Sequence, residues 1–359
     1  MKQLILTTAA LLVAAGAAAQ SVRGEWDVHF RGAIVNDEFD ISKGELAQSG
    51  TLAAINFAPY AGIGFGDGHH LKAGFNIQKD FGTPGVKPET EFAAWYQYEK
   101  NGFTLAAGIF PYALGGGSYS SLLYSDAADF YDIHCDGFLL RWQKERSNYE
   151  LLFDWCGKFG ETRREEFYVV STGEGWVKPW MALCWEGIFH HYACSEAVDG
   201  VVDDHLIHPF VQFEFSSMLP LQRLEFSVGA VAGYQKDRKA DILKTPLGVD
   251  AVFEIRKWNF GVRNQFYYGA SQMPFYESQD ASGKMYGSSL YFRAPWWRIR
   301  RDGNNGIYDG LDVYWQKSLN DYVDLGIHAR FHFDYKGFLG SQQLFTCSVN
   351  LDRISFKKK

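Results

Sequence analysis

Paired histidines, an acidic stretch and a basic-aromatic run are the parts of this chain whose residue types could do chemistry. His328 and His332 stand four apart beside Asp324, a spacing that on a helix would put two imidazoles on one metal ion. Their surroundings exclude the helix. Between Tyr322 and Tyr335 the odd positions read Val323, Leu325, Ile327, Ala329, Phe331 and Phe333. The even positions read Asp324, Gly326, His328, Arg330, His332 and Asp334. Only a strand sorts these two sets onto opposite faces. Four residues of strand span roughly 13 Å, too far for two ligands of one ion, so these histidines read as solvated members of a polar face. His190 and His191 point to opposite sides of their strand, and His69-His70 sit in a tight turn. No metal and no cofactor is expected.

The connection from Pro111 to Asp136 holds Asp126, Asp129, Asp132 and Asp136 and contains neither Lys nor Arg. The densest basic-aromatic run is Arg293 to Arg301. There Arg293, Trp296, Trp297 and Arg298 form either an external loop that stacks on a sugar or pairs with an anionic ligand, or a rim that touches lipopolysaccharide. No G-x-S-x-G elbow or similar nucleophile motif appears, so an enzyme is not expected.

The elements that must position these residues are strands. Trp26, Val28, Phe30 and Ile34 alternate with Glu25, Asp27, His29 and Arg31, and Leu71, Ala73, Phe75 and Ile77 with Lys72, Gly74, Asn76 and Gln78. Similar patterns give sixteen strands between residues 24 and 356, the eighth, near 165–172, being the least periodic; fourteen or eighteen are the neighbouring solutions. Short turns such as Lys100-Asn101-Gly102, a strong hairpin signal, alternate with mostly longer loops, the longest at 271–307.

The first nineteen residues, with Lys2, an apolar run from Leu4 to Ala15 and the Ala-rich end at Ala17-Ala18-Ala19, have the form of a secretory signal peptide. Residues 20–359 then form one exported domain. The net charge of −7 argues against nucleic acid as a partner. Aromatic residues make up 17% of the chain at a mean hydropathy of −0.22, which suits sheets with one greasy and one wet face. Five Cys (135, 156, 184, 194, 347) are an odd number without metal-type spacing; a Cys184–Cys194 bridge is left open.

A sixteen-strand barrel is too wide for side chains to fill its centre. Apolar faces pointing outward would meet lipid, and polar faces would line an aqueous lumen. The expected fold is therefore all-β: a transmembrane antiparallel β-barrel of about 16 strands in a Gram-negative outer membrane, with short periplasmic turns and long extracellular loops. Arg31, Arg141, Arg223, Arg263 and Arg330 fall in the inward phase with a larger set of carboxylates, and would line the wall.

At Ala107-Gly108-Ile109-Phe110-Pro111-Tyr112, followed by Asp132 to Gly137 and Phe138-Leu139-Leu140, the chain resembles the Gram-negative porins, most of all the phosphate-selective porin O/P type. That resemblance implies that 111–136 is a loop folded into the lumen as a constriction. The final alternating strand ending in Phe356 resembles the signal read by the barrel-assembly machinery, although three Lys follow it. It also implies a homotrimer. The mixed wall charges depart from a phosphate-selective ladder of Lys and Arg. The expected function is passive diffusion of small hydrophilic solutes or ions past the acidic loop. The alternative is a barrel with a blocked lumen that acts through its external loops as a structural or ligand-binding surface.

Overall fold

The computed structural model describes residues 22–39, 49–115, 119–279, 286–299 and 305–355. The signal peptide expected at 1–19, Arg300 and Arg301, and Phe356 with the lysine tail lie outside the described residues.

The chain is one antiparallel sheet closed on itself. In chain order its strands are β1 (Val22–Phe39), β2 (Gly50–Phe65), β3 (His69–Asp80), β4 (Glu89–Lys100), β5 (Phe103–Pro111), β6 (His134–Lys144), β7 (Ser147–Gly157), β8 (Glu166–Lys178) and β9 (Met181–Tyr192). They continue with β10 (Val202–Glu214), β11 (Arg223–Asp237), β12 (Ile242–Lys244), β13 (Leu247–Lys257), β14 (Phe260–Gly269), β15 (Gly306–Ser318), β16 (Val323–Asp334) and β17 (Gly337–Ser355). Each pairs with its sequence neighbour, except that β12 and β13 both pair with β11, and β1 closes the ring against β17 from Glu25↔Ser355 to Phe39↔Gly340.

The short β12 pairs with the top of β11, directly above the stretch that pairs with β13. The two segments are one stave interrupted at Thr245-Pro246, where proline has no N–H to give to a ladder. The barrel therefore has sixteen staves, as the alternation predicts. The weakly periodic eighth strand is real and runs longer than its pattern, to Lys178.

Alternation fixes the faces. Phe75, Phe92, Phe138, Leu183, Phe189, Ile207 and Phe345 stand exposed on the outside, where lipid covers them in a membrane. Trp142, Tyr149, Trp155, Tyr234, Trp258, Tyr322 and Tyr335 are exposed at strand ends, the position of interfacial girdles. The Asn101-Gly102 turn has φ of 54° and 79°, the left-handed pair that matches a hairpin to strand twist. All five cysteines are free.

The interior is not a bare wall. A contiguous apolar core includes Tyr60 of β2, Trp95 of β4, Leu139 of β6, Leu152 of β7, Tyr168 of β8, Ile188 of β9, Leu206 of β10, Val231 of β11, Tyr267 of β14 and Tyr308 of β15. These residues close around Leu122, Leu123 and Tyr124 from one loop and Met273, Leu290, Trp296 and Trp297 from another. Both loops leave extracellular strand ends and fold into the lumen.

Candidate functional site

The first infolded loop, 112–133, is fixed by polar contacts on opposite sides of the barrel. Its single helical turn, α1 (Asp126–Tyr131), begins at Ser125, whose side chain accepts the Ala128 N–H as an N-cap. Asp129 then receives Arg31 Nη2 at 2.5 Å, and its carbonyl receives Arg31 Nη1 at 2.9 Å. Asp126 is held by Arg330. Phe130 packs on Ala33 and Ala54, and its carbonyl accepts Asn56 Nδ2 at 2.7 Å. Across the lumen, Arg141 donates to the Gly115 carbonyl at 2.9 Å. Tyr119 donates to Glu150 at 2.5 Å and Ser120 to Glu186 at 2.7 Å. The loop thus reaches from β1 and β16 to β6, β7 and β9.

Two of the four sequence-selected aspartates face arginines as expected, and two do not. Asp132 caps the end of α1 away from the arginines. Burial first, then Asp154 and Glu91, pushes its carboxyl up to about 8. Asp136 is not in the loop, because β6 starts at His134. It is exposed, in the phase of the outward Phe138 and Leu140, so its assignment as a pore-lining residue is corrected.

The second loop, between β14 and β15, was expected outside the barrel as 271–307, but the described part of its basic-aromatic run, residues 293–299, lies inside. Arg293 is buried in an ion pair with the equally buried Asp204 and donates to the Gln272 carbonyl at 2.8 Å. Arg298 pairs with Glu277 at 2.7 Å and lies 4.1 Å over the Tyr276 ring. Trp296 stacks on Tyr308 with ring centroids 6.0 Å apart. Trp297 is 1% exposed, meets Tyr267 edge-on at 5.0 Å and donates from Nε1 to Ser121 Oγ at 3.2 Å. Apolar burial explains the inversion: two indoles and Leu290 gain more against the barrel wall than in water. The loops also pair directly, Ser125 N with the Phe292 carbonyl at 2.7 Å and Ala294 N with the Ser121 carbonyl at 2.8 Å.

Below the loops, toward the periplasmic turns, lies a cavity of about 590 Å³. Seven carboxylates and three guanidinium groups line it. Arg223 lies 2.8 Å from Glu225 and 3.3 Å from Glu254, while Arg330 and His328 share Asp312 at 3.3 and 2.9 Å. Glu186 accepts both Ser120 Oγ and His208 Nδ1, at 2.7 and 2.9 Å. Arg263 also lines the cavity and has no ion pair among the described residues. His332 is held between the Tyr308 hydroxyl at 2.8 Å and Gln342 at 3.0 Å. The two histidines of the i,i+4 pair therefore have separate partners. Sequence periodicity identified the wall groups but not the cluster at Glu186, where the loop residue Ser120 meets His208, the cross-strand partner of Glu186 on the adjacent β10.

A family model, lipid A 3'-O-deacylase-type, matches residues 24–350, nearly the whole barrel. The chain belongs to that family. It is an enzyme family, which overturns the expectation of a barrel without enzymatic activity. The phosphate-selective porin O/P type suggested by residues 103–142 is not what the family model names. None of the curated proteins compared with the chain matches it. Among solved structures, a loop-deletion mutant of OmpT, an outer membrane protein of Vibrio cholerae, aligns at 6% identity with a TM-score of 0.53, covering 92% of this chain and 100% of its own. OccK3 (OpdO) of Pseudomonas aeruginosa aligns at 8% identity with a TM-score of 0.52, covering 91% and 95%. At such identities the likeness is one of fold, that of large outer-membrane barrels.

Proposed function

We propose that this protein is an outer-membrane hydrolase that removes ester-linked acyl chains from lipid A. The family match over residues 24–350 carries the reading. The filled lumen agrees with it, since a substrate anchored in the outer leaflet reaches a barrel from its side and needs no open channel. The test is mass spectrometry of lipid A after incubation with the purified, folded barrel in mixed micelles. Loss of the mass of one acyl chain, with release of the free fatty acid, is expected. Unchanged lipid A overturns the proposal.

A second reading, passive diffusion of small hydrophilic solutes, is favoured by the charged cavity and by the facing pairs Arg31–Asp129 and Arg330–Asp126. Steady single-channel conductance whose ion preference changes on Asp129→Asn would support it. A folded barrel without conductance would exclude it.

A further inference from the structure

The outer face of β8 to β11 carries a polar group that the lumen reading does not use. At its extracellular edge, register aligns Phe167, His191, Asp203 and Lys236 in one row. The row beneath is Val169, Phe189, His205 and Tyr234. Phe189 and Tyr234 stand exposed on the outside, and alternation puts His191, Asp203 and Lys236 on the same side. The lower row is aromatic: Phe189 and His205 stack at 3.7 Å, and His205 and Tyr234 at 6.1 Å. Below it come Gly187, Ile207 and Ala232. Charge over aromatic over aliphatic is the order of a membrane interface read downward from headgroups to hydrocarbon.

Within the upper row His191 Nδ1 lies 3.0 Å from Asp203 Oδ1. Arg238 closes on the same carboxylate with Nε at 2.6 Å and Nη2 at 2.9 Å. A bidentate arginine keeps a carboxylate charged and fixed. A fixed carboxylate on Nδ1–H sets the imidazole tautomer and leaves Nε2 able to accept a proton. Neither His191 Nε2 nor Arg238 Nη1 has a partner among the described residues.

We infer that His191, oriented by Asp203 and Arg238, is the general base that cleaves the lipid acyl ester; this rests on the deacylase reading above. The ester linkages of a lipid lie between its headgroup and its chains, the depth at which this dyad stands over its aromatic row. His191 Nε2 takes a proton from water as the water oxygen bonds to the ester carbonyl carbon. The tetrahedral adduct collapses, the carbon–alkoxy bond breaks, and the leaving sugar oxygen takes the proton back from Nε2. The products are a fatty acid and a free hydroxyl, with no other reactant consumed. Arg238 Nη1 remains available to the oxyanion or to a lipid phosphate. His191 acts on the reacting atoms, whereas Asp203 and Arg238 are positioning residues.

The experiment measures fatty acid release from purified lipid A by the wild-type barrel and by His191→Ala, Asp203→Asn and His69→Gln. Folding of each is checked by heat-modifiable gel migration. His69, the first residue of β3 at the far end of the barrel, serves as the control. Loss of a general base is expected to slow release by about 10²–10⁴-fold, with partial rescue of His191→Ala by added imidazole, a smaller loss in Asp203→Asn and no change in His69→Gln. Imidazole rescue separates a proton-transfer role from a structural one. His191→Ala within twofold of an active wild type, or a folded His191→Ala barrel whose loss imidazole does not restore, overturns the dyad and leaves the deacylase reading standing. A wild type that leaves lipid A intact overturns both.

Discussion

At the scale of single residues, charge decides where the first lumen loop can lie. Asp126 and Asp129 are stable inside the barrel because Arg330 and Arg31 meet them; removing one partner of such a pair leaves a charge uncompensated. Asp132 has no such partner among the described residues and lies in the field of Asp154, Glu91, Asp136 and Glu166 instead. Its folded-state pKa of about 8 lies above that of an unfolded aspartate. Between roughly pH 4 and that value the folded loop holds a proton the unfolded chain has lost, so stability falls as pH rises through this window. Protease release of the 112–133 loop should therefore increase toward pH 8. Asp132→Asn, which cannot ionise, should flatten that profile; an unaltered profile would show that another group sets it.

At the scale of elements, the strands were legible because the two-residue period separates lipid-facing from lumen-facing side chains, and sixteen staves follow from it. Arg31, Arg223, Arg263 and Arg330 were found by the same phase rule. The infolded loops were not legible. Leu122, Leu123, Trp296 and Trp297 follow no period, and what buries them is a strand wall far away in sequence, including Tyr168 and Tyr267. Asp136 was misplaced because His134 and Cys135 already belong to β6.

Two substitutions separate these kinds of element. Gly102→Ala adds a Cβ 2.0 Å from the Gln143 carbonyl at a φ of +79°. It should destabilise the β4–β5 hairpin by about 1–3 kcal/mol, seen as a lower denaturant midpoint for the whole barrel. Trp297→Ala removes a buried indole, with a local cost of about 3–5 kcal/mol. Because the strands keep their ladders, the loss should appear as faster hydrogen exchange in 270–299 with the barrel midpoint nearly unchanged.

At the scale of the whole molecule, the two loops and the wall form one body, and that body decides whether the barrel can conduct. The loops hold each other through the Ser125–Phe292 and Ala294–Ser121 backbone bonds and the Trp297 Nε1–Ser121 Oγ bond, while Gln272–Trp297 at 2.9 Å closes the second loop on itself. The apolar core around them includes residues from β2 through β15. Water and ions cross a lumen of this width freely only where no packed side chains intervene. The intact barrel in a planar bilayer should therefore show little steady conductance. Replacing residues 273–298 with a short Gly-Ser link removes Trp296 and Trp297, the partners of Tyr308 and Tyr267, and leaves every strand in place. That deletion should open a stable, large-conductance pore. Steady conductance from the intact chain, unchanged by the deletion, would mean that the loops do not close the lumen and that the passive-diffusion reading gains ground. If the deleted barrel conducts and still deacylates lipid A, the lumen and the catalytic surface are separate, as a dyad on the outer face of β9 and β10 requires.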